Sequence, residues 1–115
     1  MTDLVIDQVV FAELVQTTGQ EFVAELIDSF LEDAPQMLVA LCKALDTHDA
    51  ASFRRTAHSL KSNAASFGAM TLCTQAREFE LLGLAGLADT ATSRLVALTQ
   101  SYEEAAIALK RLRNA

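Results

Sequence analysis

Residues that break helices are scarce in this chain: one proline and four glycines in 115 positions, so little resists long helical runs. Strand-type alternation of apolar and polar residues is absent too, which argues against sheets. Only two cysteines occur, Cys42 and Cys73, with no Cys-x-x-Cys pair and no histidine at ligand spacing. They read as buried free thiols, not as a disulfide framework or a metal site. Basic charge is in short supply, 9 Lys and Arg against 15 Asp and Glu, for a net charge of −6. Nucleic acid is gripped mainly through Lys and Arg, so the expected partner is a protein and no nucleic acid is expected. No apolar run approaches the roughly 20 residues that span a bilayer, and Asp3 and Asp7 stand where a basic leader would begin. A soluble, cytoplasmic protein without a membrane segment is expected.

What the chain does contain is apolar residues, 51% of the total, enough for one hydrophobic core. With no shift in composition along its length, residues 1–115 read as one domain. Val9, Val10, Leu14 and Val15 make a short stripe between Asp7, a helix-capping residue, and Gly19, a helix-ending one. Phe22, Val23, Leu26, Ile27, Phe30, Leu31, Met37, Leu38, Leu41 and Leu45 recur every three or four positions, the mark of a long amphipathic helix. Pro35 lies inside that stripe and predicts a kink or a break after Asp33, and the stripe's continuation past it favours a kink. Thr47, His48 and Asp49 read as a turn whose aspartate caps a third helix ending at Gly68. Met70, Cys73, Ala76, Phe79 and Leu82 pattern a fourth, closed near Gly83 and Gly86, and Leu84 to Ala88 form an unusually apolar connection. Leu95, Leu98, Tyr102, Ala105, Leu109 and Leu112 pattern the last, with Lys110, Arg111 and Arg113 opposing the helix dipole at its end. Short connections make neighbouring helices antiparallel. The expected fold is all-α, an antiparallel up-down four-helix bundle with a short extra N-terminal helix.

Chemistry in such a bundle has to come from side chains on the helices, and the third helix carries the one informative constellation. Successive helical residues turn by roughly 100°. Leu60 and Phe67 therefore point away from His58, while Lys61, Ser62 and Ala65 flank it. A solvent-facing imidazole keeps an unprotonated nitrogen at neutral pH and can attack an activated phosphorus without a strong base. Lys61, one turn on, can offset part of the roughly two negative charges a phosphoryl group brings, with Arg54 and Arg55 one turn earlier as auxiliary cations. His48, in a predicted turn without such company, reads as an ordinary surface residue.

The segment Ala57-His58-Ser59-Leu60-Lys61, followed by small residues and Gly68, resembles the histidine-containing phosphotransfer (HPt) domain of multistep phosphorelays. The likeness extends in outline to the proline-bearing second helix and to Glu80-Leu81-Leu82-Gly83. It implies a phosphoryl group carried on His58, taken from the aspartyl phosphate of one receiver domain, as in a hybrid sensor kinase, and passed to that of a response regulator. It also implies that Lys61 stabilises the phosphate, that Glu80 orients the imidazole, and that Leu60 and Gly68 are structural. Mg²⁺ would belong to the receiver. The chain itself is expected to need no metal or other cofactor and to lack autonomous kinase activity, having no Gly-rich nucleotide loop. Ser62 stands where the family often has glycine, and Asn63 where a small hydroxyl residue is usual. Ser62, Ala65 and Ser66 are the expected docking surface, joined by neighbours from the first two helices. The alternative is a non-catalytic helical module that binds a receiver or another signalling protein. A monomer is expected, since one bundle can bury its own stripes.

Overall fold

A computed structural model describes residues 5–114, the side chain of Ala88 excepted; Asp3 lies outside this range. Five α-helices follow in order: α1 (Gln8–Thr18), α2 (Gln20–Asp46), α3 (Ala50–Phe67), α4 (Met70–Leu87) and α5 (Ala91–Arg113), with a 3₁₀ turn at Ala88–Thr90. The described residues are all-helical and contain no strand. α2 packs against α3 and α5, and α4 packs against the same two helices, so the four long helices close a ring. α1 lies outside that ring against α2 and α3.

Local chemistry sets most of the boundaries. The Asp7 carboxylate accepts from the backbone N–H groups of Val9 and Val10 at the start of α1, satisfying donors that a helix leaves free. Asp49 does the same for α3, accepting from the Ser52 N–H, and its other oxygen accepts from the Ser52 hydroxyl at 2.7 Å. These two bonds hold the Asp49 carboxyl below its ordinary value. Gly68 closes α3 in the left-handed region with φ +82°, where a side chain would be strained. A Cβ there would also stand 2.8 Å from the Asp7 carbonyl oxygen. The Asp7 N–H donates to the Gly68 carbonyl at 2.8 Å, so the start of α1 is tied to the end of α3.

Of the kink or break expected after Asp33, the less favoured break does not occur: α2 runs through Pro35 as one helix, as the continuing apolar stripe indicated. Proline removes the N–H that would bond the carbonyl four residues back, which is that of Leu31. The Tyr102 hydroxyl on α5 approaches this carbonyl at 3.4 Å, a long bond that partly fills the gap. Burial raises the Tyr102 phenol above its ordinary value. α4 does break where a stop is predicted: Gly83 leaves helical geometry at φ +65°, and one further turn runs on to the buried Leu87. The apolar connection is therefore part of the packing.

One core cluster contains the buried apolar residues. Phe30 of α2 meets Phe67 of α3 at 5.3 Å and Tyr102 of α5 at 5.9 Å between ring centroids. Phe53 and Phe79 stack at 5.6 Å and join α3 to α4. Each fully buried Leu or Phe contributes about 1.5–3 kcal/mol to folding. Several apolar assignments shift by one or two positions. In α1, Phe11 is buried and Val9 is 68% exposed. In α4, Leu72 takes the inward place and Met70 is exposed, as are Phe22 of α2 and Leu82. Cys42, expected to be buried, is exposed. The core face of α2 runs through Ile27, Phe30, Ala34, Leu38, Leu41 and Ala44, and Cys42 falls one residue off that line. Cys73 is half-buried against the core.

Candidate functional site

The α3–α4 seam presents His58 outward. Ala57, Leu60 and Ala64 of α3 and Ala76 and Phe79 of α4 are buried, and these anchors leave His58, Lys61 and Glu80 at the surface of the seam. Buried alanines on both helices allow close approach, so a side chain on α4 can reach α3.

Glu80 makes that reach twice. Its Oε2 lies 2.6 Å from His58 Nδ1, and its Oε1 accepts from Lys61 Nζ at 2.7 Å. Lys61 is the main cause holding the Glu80 carboxyl below its ordinary value; partial burial works the other way, and His58 adds to the lowering. An ionised carboxylate only accepts hydrogen bonds, so Nδ1 carries the hydrogen at this contact. In the neutral ring, Nε2 then holds the lone pair. The His58 side chain is 57% exposed, against 20% for Glu80. The arrangement is an open nucleophilic nitrogen on a ring fixed from behind by a half-buried anion.

Of the residues singled out from sequence, His58, Lys61 and Glu80 come together, although 22 positions separate the histidine from the glutamate. Leu60 is buried behind them, and Gly68 is the C-cap of the helix. Ser62 and Ser66 are exposed and Ala65 is partly so, the Ser66 hydroxyl bonding the Ser62 carbonyl at 3.1 Å. In the unphosphorylated chain the Lys61 ammonium donates to Glu80. The auxiliary cations lie elsewhere. Arg55 donates to the Ser52 hydroxyl, and Arg54 reaches across to Gly83 of α4, 3.4 Å from where a Cβ would stand. That distance is an ordinary contact, and what calls for glycine at 83 is its backbone at φ +65°.

Beside Ser66 and Asn63 opens a hollow of about 210 Å³, lined also by Leu14 of α1 and by Leu26, Phe30 and Asp33 of α2. Leu14 and Leu26 sit at the edges of their stripes and are only partly buried, the signal by which they could have been found. Among the described residues no helix is long and apolar enough to cross a membrane.

The chain as a whole is similar to known proteins. The Hpt domain family model matches residues 25–115 of this chain. The chain belongs to the Hpt domain family. The phosphorelay protein LuxU of Vibrio vulnificus, in strains YJ016 and CMCP6, is 33% identical over 93 residues, 81% of each chain. The crystal structure of histidine-containing phosphotransfer protein B (HptB) from Pseudomonas aeruginosa PAO1 superposes with a TM-score of 0.88 at 27% identity, covering 98% of this chain and 97% of that one. As an Hpt domain, the protein functions in histidine phosphotransfer within a phosphorelay, and its partners are receiver domains.

Proposed function

We propose that His58 Nε2 is the phosphoacceptor. Its lone pair forms the N–P bond as the P–O bond to a receiver aspartate breaks, and that electron pair leaves with the aspartate carboxylate. Reversal onto a second receiver completes the relay, from hybrid sensor kinase to response regulator. The observation that carries this reading is the 2.6 Å contact between Nδ1 and Glu80, which turns Nε2 away from the protein. Lys61 stabilises the phosphoryl group once it arrives, and Glu80 holds the ring.

Ser62, Ala65 and Ser66 form the docking surface together with the hollow between α1, α2 and α3. The protein is a carrier without kinase activity of its own, and the receiver supplies Mg²⁺ and the surrounding catalytic groups. The ring of four helices with α1 outside supports an antiparallel up-down bundle with a short extra N-terminal helix, here one domain working as a cytoplasmic monomer.

Transfer of label from a phosphorylated receiver tests the assignment. Wild type is expected to acquire acid-labile, alkali-stable label and His58→Gln none. Label on the variant, or none on wild type across the receivers of one organism alongside a working Hpt control, overturns it; the second result leaves a binding module as the function.

A further inference from the structure

A carboxylate beside an imidazole does more than hold it in place. Glu80 can only accept from Nδ1, and an unprotonated Nδ1 would face Oε2 lone pair to lone pair at 2.6 Å. In the free protein the neutral ring meets this demand by keeping its hydrogen on Nδ1. After Nε2 gains a phosphoryl group, Nδ1 is the only ring nitrogen that can still carry a proton, and the same carboxylate still faces it.

We infer that Glu80 retains the Nδ1 proton throughout the transfer cycle, so that the phosphoryl group enters and leaves His58 on an imidazolium ring without proton exchange with solvent. This rests on His58 being the phosphoacceptor. The step balances without a co-reactant. The Nε2 lone pair forms the N–P bond, the aspartate carboxylate departs with the P–O electron pair, and the Nδ1 proton stays where it was. On the return step the N–P electron pair goes back to Nε2, and the ring leaves neutral. A neutral leaving group is better than the imidazolate that an unprotonated phosphorylated ring would have to release.

The charged groups around the ring agree with this. Glu80 faces it from α4, and Lys61 faces it from α3 through the shared carboxylate. Arg54, one turn back on α3, reaches Gly83, and Arg77, one turn before Glu80, is exposed. Among the described residues, α1, α2 and α5 place no charged group in hydrogen bond to His58, Lys61 or Glu80. A phosphoryl group on Nε2 draws Lys61 towards itself. The carboxylate, relieved of that ammonium, is left to the ring alone and holds the proton harder.

Chemical phosphorylation with phosphoramidate, which needs no receiver, provides the test. In ¹⁵N-histidine NMR spectra of the phosphorylated wild type, Nδ1 is expected to remain protonated from about pH 6 to about pH 9, across the range in which an imidazole ordinarily titrates. The lifetime of its phosphohistidine should then change little with pH. In Glu80→Gln the amide can serve either form of the ring. Nδ1 should then deprotonate, and the lifetime should lengthen by up to about tenfold per pH unit above neutrality, as one released proton requires. Loss of the Nδ1 proton near neutrality in wild type, or identical pH profiles for the two proteins, overturns the inference. Absence of phosphohistidine from wild type, or its presence in His58→Gln, overturns the acceptor assignment itself.

Discussion

Two carboxylates tie helices together on different seams, and they do so in different ways. Asp28 of α2 accepts from a single guanidinium, Arg113 Nε at 2.6 Å and Nη2 at 2.8 Å, on α5. Glu80 of α4 divides its oxygens between His58 and Lys61 of α3. Both carboxyls are held below their ordinary values, Asp28 chiefly by the hydrogen bonds from Arg113 and Glu80 chiefly by that from Lys61. The fork on Asp28 is saturated by one rigid partner, so its chemistry is spent on joining two helices. At Glu80 one arm is an exposed imidazole and the other a flexible ammonium, and either partner can turn to something else. Similar bond lengths thus serve a clamp at one seam and the proposed phosphoacceptor site at the other.

The largest separation between the seams is expected from paired variants. His58→Gln should abolish phosphoryl acceptance with helicity unchanged by circular dichroism, whereas Arg113→Ala should accept at the wild-type rate. A comparable loss in Arg113→Ala would mean that the clamp also shapes the site. Ser62→Trp comes next, blocking transfer from a receiver while leaving phosphorylation by phosphoramidate intact; normal receiver transfer would remove Ser62 from the docking surface. Glu80→Ala should slow transfer by about 10- to 100-fold, as loss of a group that orients a reacting ligand commonly does, with little change in melting temperature.

The smallest effect sharpens the comparison through pH. A carboxyl with a lowered folded-state value stabilises the protein above its unfolded value and stops doing so as pH falls through the folded one. Asp28→Asn should therefore melt slightly below wild type at neutral pH, and the two melting curves should converge as pH falls below the ordinary carboxyl value of 3.8. For Glu80 the same sign applies, with convergence beginning nearer 4.5. Parallel curves down to strong acid would show that neither pair contributes through its charge.

Helix ends were legible because each is set by a few local atoms. Asp7, Asp49 and Gly68 act within four residues of themselves, so the sequence alone placed them. The outward direction of His58 and the burial of Leu60 followed from helical periodicity for the same reason. What stayed hidden depends on residues far apart in the chain. Nothing local shows that Lys61 is engaged by Glu80, that Arg54 lies over Gly83, or that Tyr102 approaches the carbonyl left free by Pro35. The apolar face of α1 was misplaced because Val9, Val10, Phe11, Leu14 and Val15 cover more than one side of a short helix. Only packing against α2 and α3 selects Phe11. Cys42 failed differently, being an apolar-looking residue next to the true core position at Leu41.

The junction at Gly68 bears on how quickly a partner can engage. Because the Asp7 N–H is bonded to the Gly68 carbonyl and the two backbones touch, α1 is already in place beside the C-terminal half of α3. A receiver docking on the proposed surface of Ser62 and Ser66 would meet α1 already folded against α3. Encounter would then be limited by orientation and diffusion, for which association rate constants of about 10⁵–10⁷ M⁻¹s⁻¹ are usual. A side chain at position 68 would push α1 away, and the relay would lose speed at the meeting of the two proteins, before any bond to phosphorus is made.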